Sequence, residues 1–239
     1  PRGLGRSYGD QATSENNQVV VCTKLNHFLS WDEKEGVLEC EAGVSLEEII
    51  NTFVPQGYLP MICPGTKFVT IGGAIANDIH GKAHHIDGSF VNCVLSFTIL
   101  LADGTKKTAS RTENPDLFWA NFGGLGLLGV ILTARIKLRK VETTYFKQKS
   151  IKIKNLDHML EALDTYDHEY NYSVAWIDAL AKGNKLGSGV LTLGNAATLE
   201  ELSPNLKSHP LKLHGKGKLS VPIFFPSFAL NGLTVRILN

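Results

Sequence analysis

The chain has 239 residues, 43% hydrophobic and 20% charged, with a formal net charge of +1. That is enough to bury a core in one large or two modest domains, and the near-neutral balance gives no electrostatic case for nucleic acid. No run of about 18 apolar residues would span a bilayer. The cysteines Cys22, Cys40, Cys63 and Cys93 show no CxxC spacing and read as small buried hydrophobes of a reducing, cytoplasmic compartment, not as a disulfide frame or zinc site.

The chain opens on a glycine-rich loop, Pro1 to Asp10, carrying Arg2, Arg6, Ser7 and Tyr8. Val19 to Cys22 and Val37 to Glu41 read as strands, and Ser45 to Phe53 as a helix opened by a capping box of Ser45 and Glu48. A second glycine-rich segment follows, Pro64 to His85, with a short helix expected from Thr70 to Asn77 around Gly72 and Gly73. Such loops are either surface turns or places where backbone approaches a flat, phosphate-bearing ligand, and the helix start would be a poor helix but a good anion seat. Val91 to Leu101 predicts a strand turned by Asp103-Gly104, with Thr105 to Thr108 as its hairpin partner. Pro115 to Asn121 predicts a helix, and Gly129 to Leu138 a half-buried strand.

Beyond Lys140 the pattern changes. Thr143 to Ile153 predicts a strand, Asn155 to Tyr170 a helix with Leu156, Met159, Leu160 and Leu163 on its apolar face, and Tyr172 to Leu180 another strand. The fold class is α+β, with one domain over 1–140 and a second over 141–239. The basic runs Lys147 to Lys154 and Lys212 to Lys218 read as solvated strand faces, and Phe224 to Asn239 runs apolar without a terminator.

Two motifs are rejected. Gly124 to Gly129 satisfies GxGxxG, but it sits after a helix and before a strand, the reverse of a dinucleotide-binding turn. His80, His84 and His85 with Asp78 and Asp87 could supply metal ligands, yet the adjacent His84 and His85 would point apart, so a hydrogen-bonding loop role is preferred for them.

The wording RGLGRSYGD, PGT, VTIGGAIANDIHGK and HH, continued by GSF, LLADG, LFWANFGGLGLLG and YSVAWIDA, covers nearly the whole chain. It resembles the flavoproteins of the vanillyl-alcohol oxidase and p-cresol methylhydroxylase superfamily and, within it, the decaprenylphosphoryl-ribose oxidases. The resemblance implies a two-subdomain FAD-binding fold over 1–140, whose opening strand-helix-strand unit would precede Pro1. It also implies a substrate domain from 141 whose second half, with a lysine as base, would follow Asn239.

It further implies that FAD is held by Arg2, Gly3, Leu4, Gly5, Arg6, Ser7, Tyr8, Pro64, Gly65, Thr66, Thr70, Gly72, Gly73, Asn77, Ile79, His80, Gly81 and Ile131. The turn Gly124 to Gly129 and the strand entering at Val130 and Ile131 would run along the adenine and ribitol side. The implied catalytic residues are His80, Lys82 and Tyr8. Gly65, His80, Gly81, Lys82 and Trp176 would meet the substrate, although an apolar-strand tryptophan is by default core. FAD is expected to be non-covalent, because Arg6 and Asn77 stand where covalently attached relatives carry His or Cys.

The implied chemistry is oxidation of a sugar carbinol, with hydride transfer to flavin N5, on a polyprenyl-phosphate-linked ribose or on a soluble sugar or aldonolactone. A non-catalytic flavin-binding role is the third alternative. A short-chain reductase partner and peripheral membrane association come with the lipid-linked reading. Ala83, where an Asn is common, and Val174, where a small polar residue is frequent, depart from the pattern beside the expected sugar pocket.

Overall fold

The computed structural model describes residues 1–15, 18–213 and 231–234. Most of Lys212 to Lys218 and of Phe224 to Asn239 lies outside them. The chain divides into two units, Pro1–Thr144 with Thr198–Leu211, and Tyr145–Ala197 with Lys212–Asn239.

The first unit is built on an antiparallel sheet. β1 (Phe28–Asp32) and β2 (Val37–Glu41) form a hairpin, and β4 (Val94–Leu100) and β5 (Lys106–Ser110) form another. β6 (Val130–Lys140) lies between them, giving the order β1-β2-β6-β4-β5, and β3 (Tyr58–Pro60) also pairs with β6. One face is apolar: Leu38, Cys40, Val94, Phe97, Ile99, Ile131, Ala134, Ile136 and Leu138 are buried. The two register shifts between β4 and β6 explain the uneven spacing of Val94 to Phe97 and Ile131 to Ala134, since each bulge turns an extra residue and keeps both flanking side chains inside.

Helices cover this face. α1 (Leu46–Phe53) starts at the expected capping box, where Ser45 Oγ accepts the Glu48 N–H at 3.2 Å and Glu48 Oε2 accepts the Ser45 N–H at 2.7 Å. Replacing Ser45 by Ala should lower stability by about 1 kcal/mol in chemical denaturation. α2 (Ile71–Ala76) and α4 (Pro115–Asn121) contribute Ile71, Ala74, Ile75 and Phe118 to the same core. α3 (His84–Asp87) and α6 (Pro204–Lys207) are single turns. Burial pushes the Cys40 and Cys93 thiols up to about 12, which leaves them neutral core groups.

Two expectations need correction here, and two strands were missed. Val19 to Cys22 is not a strand: among the described residues Val21 forms an isolated parallel bridge, to Arg2, and no longer ladder. The strand from Val91 begins later, at Val94, because Phe90–Asn92 is a 3-10 turn. β1 and β3 were not anticipated: β1 is an exposed edge without alternation, and β3 has three residues ending in Pro60.

The second unit is a three-stranded antiparallel sheet with one helix. β7 (Phe146–Ile153), β8 (Tyr172–Ile177) and β9 (Gly189–Ala196) run in the order β7-β9-β8, and α5 (Leu156–Tyr166) packs on one face over Ile153, Leu191 and Leu193. The unanticipated β9 is central. α5 also ends earlier and buries a different stripe. Met159, Ala162, Leu163 and Tyr166 face the core, whereas Leu156 and Leu160 are 45% and 58% exposed. Among the described residues no helix is long and apolar enough to cross a membrane.

Candidate functional site

The opening loop is tied down at both sides. Arg2 donates its N–H to Val20 O at 2.8 Å and accepts from Cys22 N at 2.9 Å. Gly3 then passes directly over Thr70. A Cβ there would come within 2.1 Å of Thr70 Oγ1, so only glycine lets the first loop lie against the second. Gly5 turns the loop with φ +62°. The Arg6 guanidinium sits 5.8 Å from the centroid of the Phe68 ring, a second tie between the loops.

The available donors lie on the two glycine-rich loops but not at the helix start, where the sequence also placed them. Thr70 does cap α2, its Oγ1 accepting the Gly73 N–H at 3.3 Å. However, Ile71 N and Gly72 N donate at 2.8 Å to Val44 O and Ala42 O, so the first turn of α2 is already bonded within the protein. The helix start is therefore a packed corner, and the expected anion seat there is corrected. Among the described residues, the amides of Leu4, Gly5, Arg6 and Ser7 and of Gly65 and Thr66 have no protein acceptor. These two loops, not the helix, offer N–H groups to a ligand.

Both loops open on one cleft of about 710 Å³. Arg2, Gly3, Leu4, Gly5, Arg6, Ser7 and Tyr8 line it from the first loop, and Pro64, Gly65, Thr66, Thr70, Gly72, Gly73, Asn77 and Ile79 from the second. Ile131 closes it from β6, with Leu125, Gly126 and Gly129 from the turn between α4 and β6. Leu125 N donates to Ala76 O at 2.8 Å, which fixes that turn against the end of α2. A Cβ on Gly65 would meet nothing within 4 Å. Asn77 holds its side chain back on the helix, Nδ2 donating to Gly73 O at 2.9 Å. Tyr8 lies at the cleft with its side chain fully exposed.

Phe68 and Ala42 also line the cleft and were missed. Phe68 follows Lys67 in the second loop, and an aromatic within a glycine-rich run was the available signal. Ala42 packs against Gly72, where an added Cβ would come within 3.1 Å of the Ala42 Cβ.

His80, Gly81 and Lys82 follow Ile79 out of the cleft and are not among its lining residues. His80 and Lys82 are exposed, and His80 bridges Ser89. Gly81 packs under the chain instead: a Cβ there would meet Cys63 O at 2.4 Å. The His84 ring lies tilted against the His80 ring with centroids 4.9 Å apart, and its Nδ1 lies 3.1 Å from Gly88 O, where it donates to the carbonyl. Among the described residues no group of three or more His, Cys, Asp or Glu could hold a metal ion. Trp176 belongs to the second unit, where it is 49% exposed on β8 and not core.

The cleft suits a dinucleotide with a flat ring. Its unbonded amides and two arginines match a pyrophosphate, and Leu4, Val69, Ala76, Ile79 and Ile131 supply apolar wall. Residues 1–110 match the FAD binding domain family. Over 235 residues the chain is 40% identical to decaprenylphosphoryl-beta-D-ribose oxidase of Mycolicibacterium smegmatis, covering 98% of this chain and 51% of that protein. The chain thus carries an FAD-binding domain over residues 1–110.

L-gulonolactone oxidase of Mus musculus is 28% identical over 74% of this chain and 42% of its own length. Xylooligosaccharide oxidase of Thermothelomyces thermophilus is 30% identical over 57% of this chain and 28% of its own. The chain thus spans about half the length, or less, of these oxidases. FAD is the cofactor that this domain takes.

Proposed function

We propose that the full-length protein oxidises a secondary hydroxyl of a sugar, with C2′ of a polyprenyl-phosphate-linked ribose as substrate. The observation that carries this reading is the single cleft in which two loops present unbonded amides and Arg2 and Arg6, beside the turn bearing His80, Gly81 and Lys82. Similarity to a decaprenylphosphoryl-beta-D-ribose oxidase along nearly the whole chain supports the substrate.

In this proposal Arg2, Arg6 and the loop amides bind the pyrophosphate, and Gly72, Gly73 and Ile131 shape the wall. Bound FAD supplies the hydride acceptor. His80 orients the reacting hydroxyl and handles its proton, Lys82 places a positive charge beside the substrate, and Tyr8 flanks the ring. Gly65 leaves room for the sugar, and Trp176 is assigned to substrate on family resemblance. Residues from 141 onward serve as the substrate-binding part. A short-chain reductase would complete the reaction by reducing the keto sugar, and the lipid-linked substrate implies contact with a membrane surface.

The similarity to L-gulonolactone oxidase and xylooligosaccharide oxidase favours a second reading, oxidation of a soluble sugar or lactone. Flavin reduction of the full-length protein by lipid-linked ribose, compared with a free aldonolactone, separates them. Reduction only by the lactone would overturn the lipid-linked substrate.

The flavin is expected to be dissociable. Cys22 is the cysteine among the lining residues, its buried thiol donating to Val20 O at 3.5 Å, and no histidine lines the cleft among the described residues. Acid precipitation should leave the yellow colour in the supernatant; a coloured pellet would show a covalent bond.

A further inference from the structure

We propose that Asp87 and Arg139 are positioning residues that brace the turn carrying His80 and Lys82. This rests on the site reading given above.

The turn between α2 and the 3-10 segment at Phe90 is held at its base by Asp78. One carboxylate oxygen accepts Ser89 Oγ–H at 2.7 Å, the other Val91 N–H at 3.0 Å, and Phe90 N donates to Ile79 O at 2.8 Å. At its far end a different contact takes over. Asp87 pairs with Arg139 near the end of β6, 52 positions further along the chain. The Asp87 side chain is only 9% exposed, and its second oxygen is buried without a hydrogen bond. A carboxylate so deeply buried is held there by its partner, and loss of the arginine would leave an uncompensated charge that could regain water only if the turn moved.

The path from this pair to His80 is short. Gly88, next to Asp87, accepts from His84 Nδ1, and the His84 ring packs on the His80 ring. Ser89, one residue further, forms the backbone bridge to His80 itself. Anchoring Asp87 to the sheet therefore fixes the segment that holds His80 by its backbone, at Ser89, and by its ring, at His84. α3 needs this external anchor, because its N-cap residue Ala83 makes no side-chain cap bond. Neither Asp87 nor Arg139 lines the cleft, so the brace acts on the turn and not on the dinucleotide.

The test uses FAD-replete full-length protein, reduced by the substrate that reduces the wild type, with stopped-flow readout. Asp87→Asn and Arg139→Met should each lower the limiting rate of flavin reduction by on the order of 10- to 10²-fold, at unchanged FAD content. Arg139→Met should also lose thermal stability. The double variant, with no buried charge left alone, should regain that stability while its reductive rate stays low. A rate that returns with stability, or single variants that reduce at the wild-type rate, would overturn the proposal. If Arg139→Met does not fold, the near-isosteric Asp87→Asn decides alone by the same rate. His80→Ala run in parallel separates the two levels. A slow His80→Ala beside a normal Asp87→Asn removes only the brace, whereas a normal His80→Ala removes the site reading beneath it.

Discussion

Replacing His80 by Ala in the full-length protein should slow flavin reduction by on the order of 10² or more while FAD stays bound, because general acid-base action and positioning both act on the barrier. The structure gives a reason for the split between rate and cofactor. His80 is exposed, joined to Ser89 by backbone and to His84 by ring contact, and stands outside the residues that line the cleft. Its side chain therefore holds neither a loop amide nor an arginine in place. A histidine that served only to pack the turn would show the opposite pattern, lost stability or lost flavin with a normal rate in the molecules that keep it. Stopped-flow reduction at saturating substrate, with the FAD content of each preparation measured, reads both quantities. An unchanged rate would remove His80 from the catalytic set.

Gly73→Val should abolish flavin retention. Gly73 lines the cleft, and a Cβ built there comes within 3.1 Å of Thr70 Oγ1, the atom that caps α2. Thr70 cannot yield freely, since Gly3 of the first loop already rests on the same oxygen. A branched side chain would thus press on the cap and on the contact that brings the two loops together, and its methyl groups would take space on the ligand side. Overpacking of about 1–3 kcal/mol corresponds to roughly 10- to 10²-fold in Kd before any lost contact with the cofactor is counted. The purified variant should be colourless and take up FAD weakly in a titration. A protein that stays yellow at normal stoichiometry would show that this wall does not meet the flavin.

Local chemistry was the most readable part of the chain. The capping box at Ser45 and Glu48, the proline-started helix Pro115–Asn121, the Asp103-Gly104 turn and the short helix between Thr70 and Asn77 each depend on a few adjacent residues, and each forms where the sequence puts it. The GxGxxG at Gly124 was correctly read as a turn, since its neighbours name the elements on either side. What escaped depends on distant partners. β1 is a strand because β2 lies beside it, and β9 is one because β7 and β8 flank it. The buried stripe of α5 is set by Leu191 and Leu193, more than twenty positions beyond its end. The cleft shows the same division. Glycines marked the two loops, but nothing in the sequence says that Val44 and Ala42 take the first amides of α2.

The central place of β6 has a consequence for how the molecule is made. The matched FAD domain ends at residue 110, yet the strand that joins its two hairpins, pairing Leu38 with Ile136 and Thr98 with Thr133, comes afterwards. As the chain leaves the ribosome, the early hairpins must wait with open edges until residue 140 is synthesised, a long-range closure of the slow, exposure-prone kind. Ile131 arrives with that strand, so the nascent cleft lacks a wall until the sheet closes, and FAD can reward folding only after the step most at risk is over.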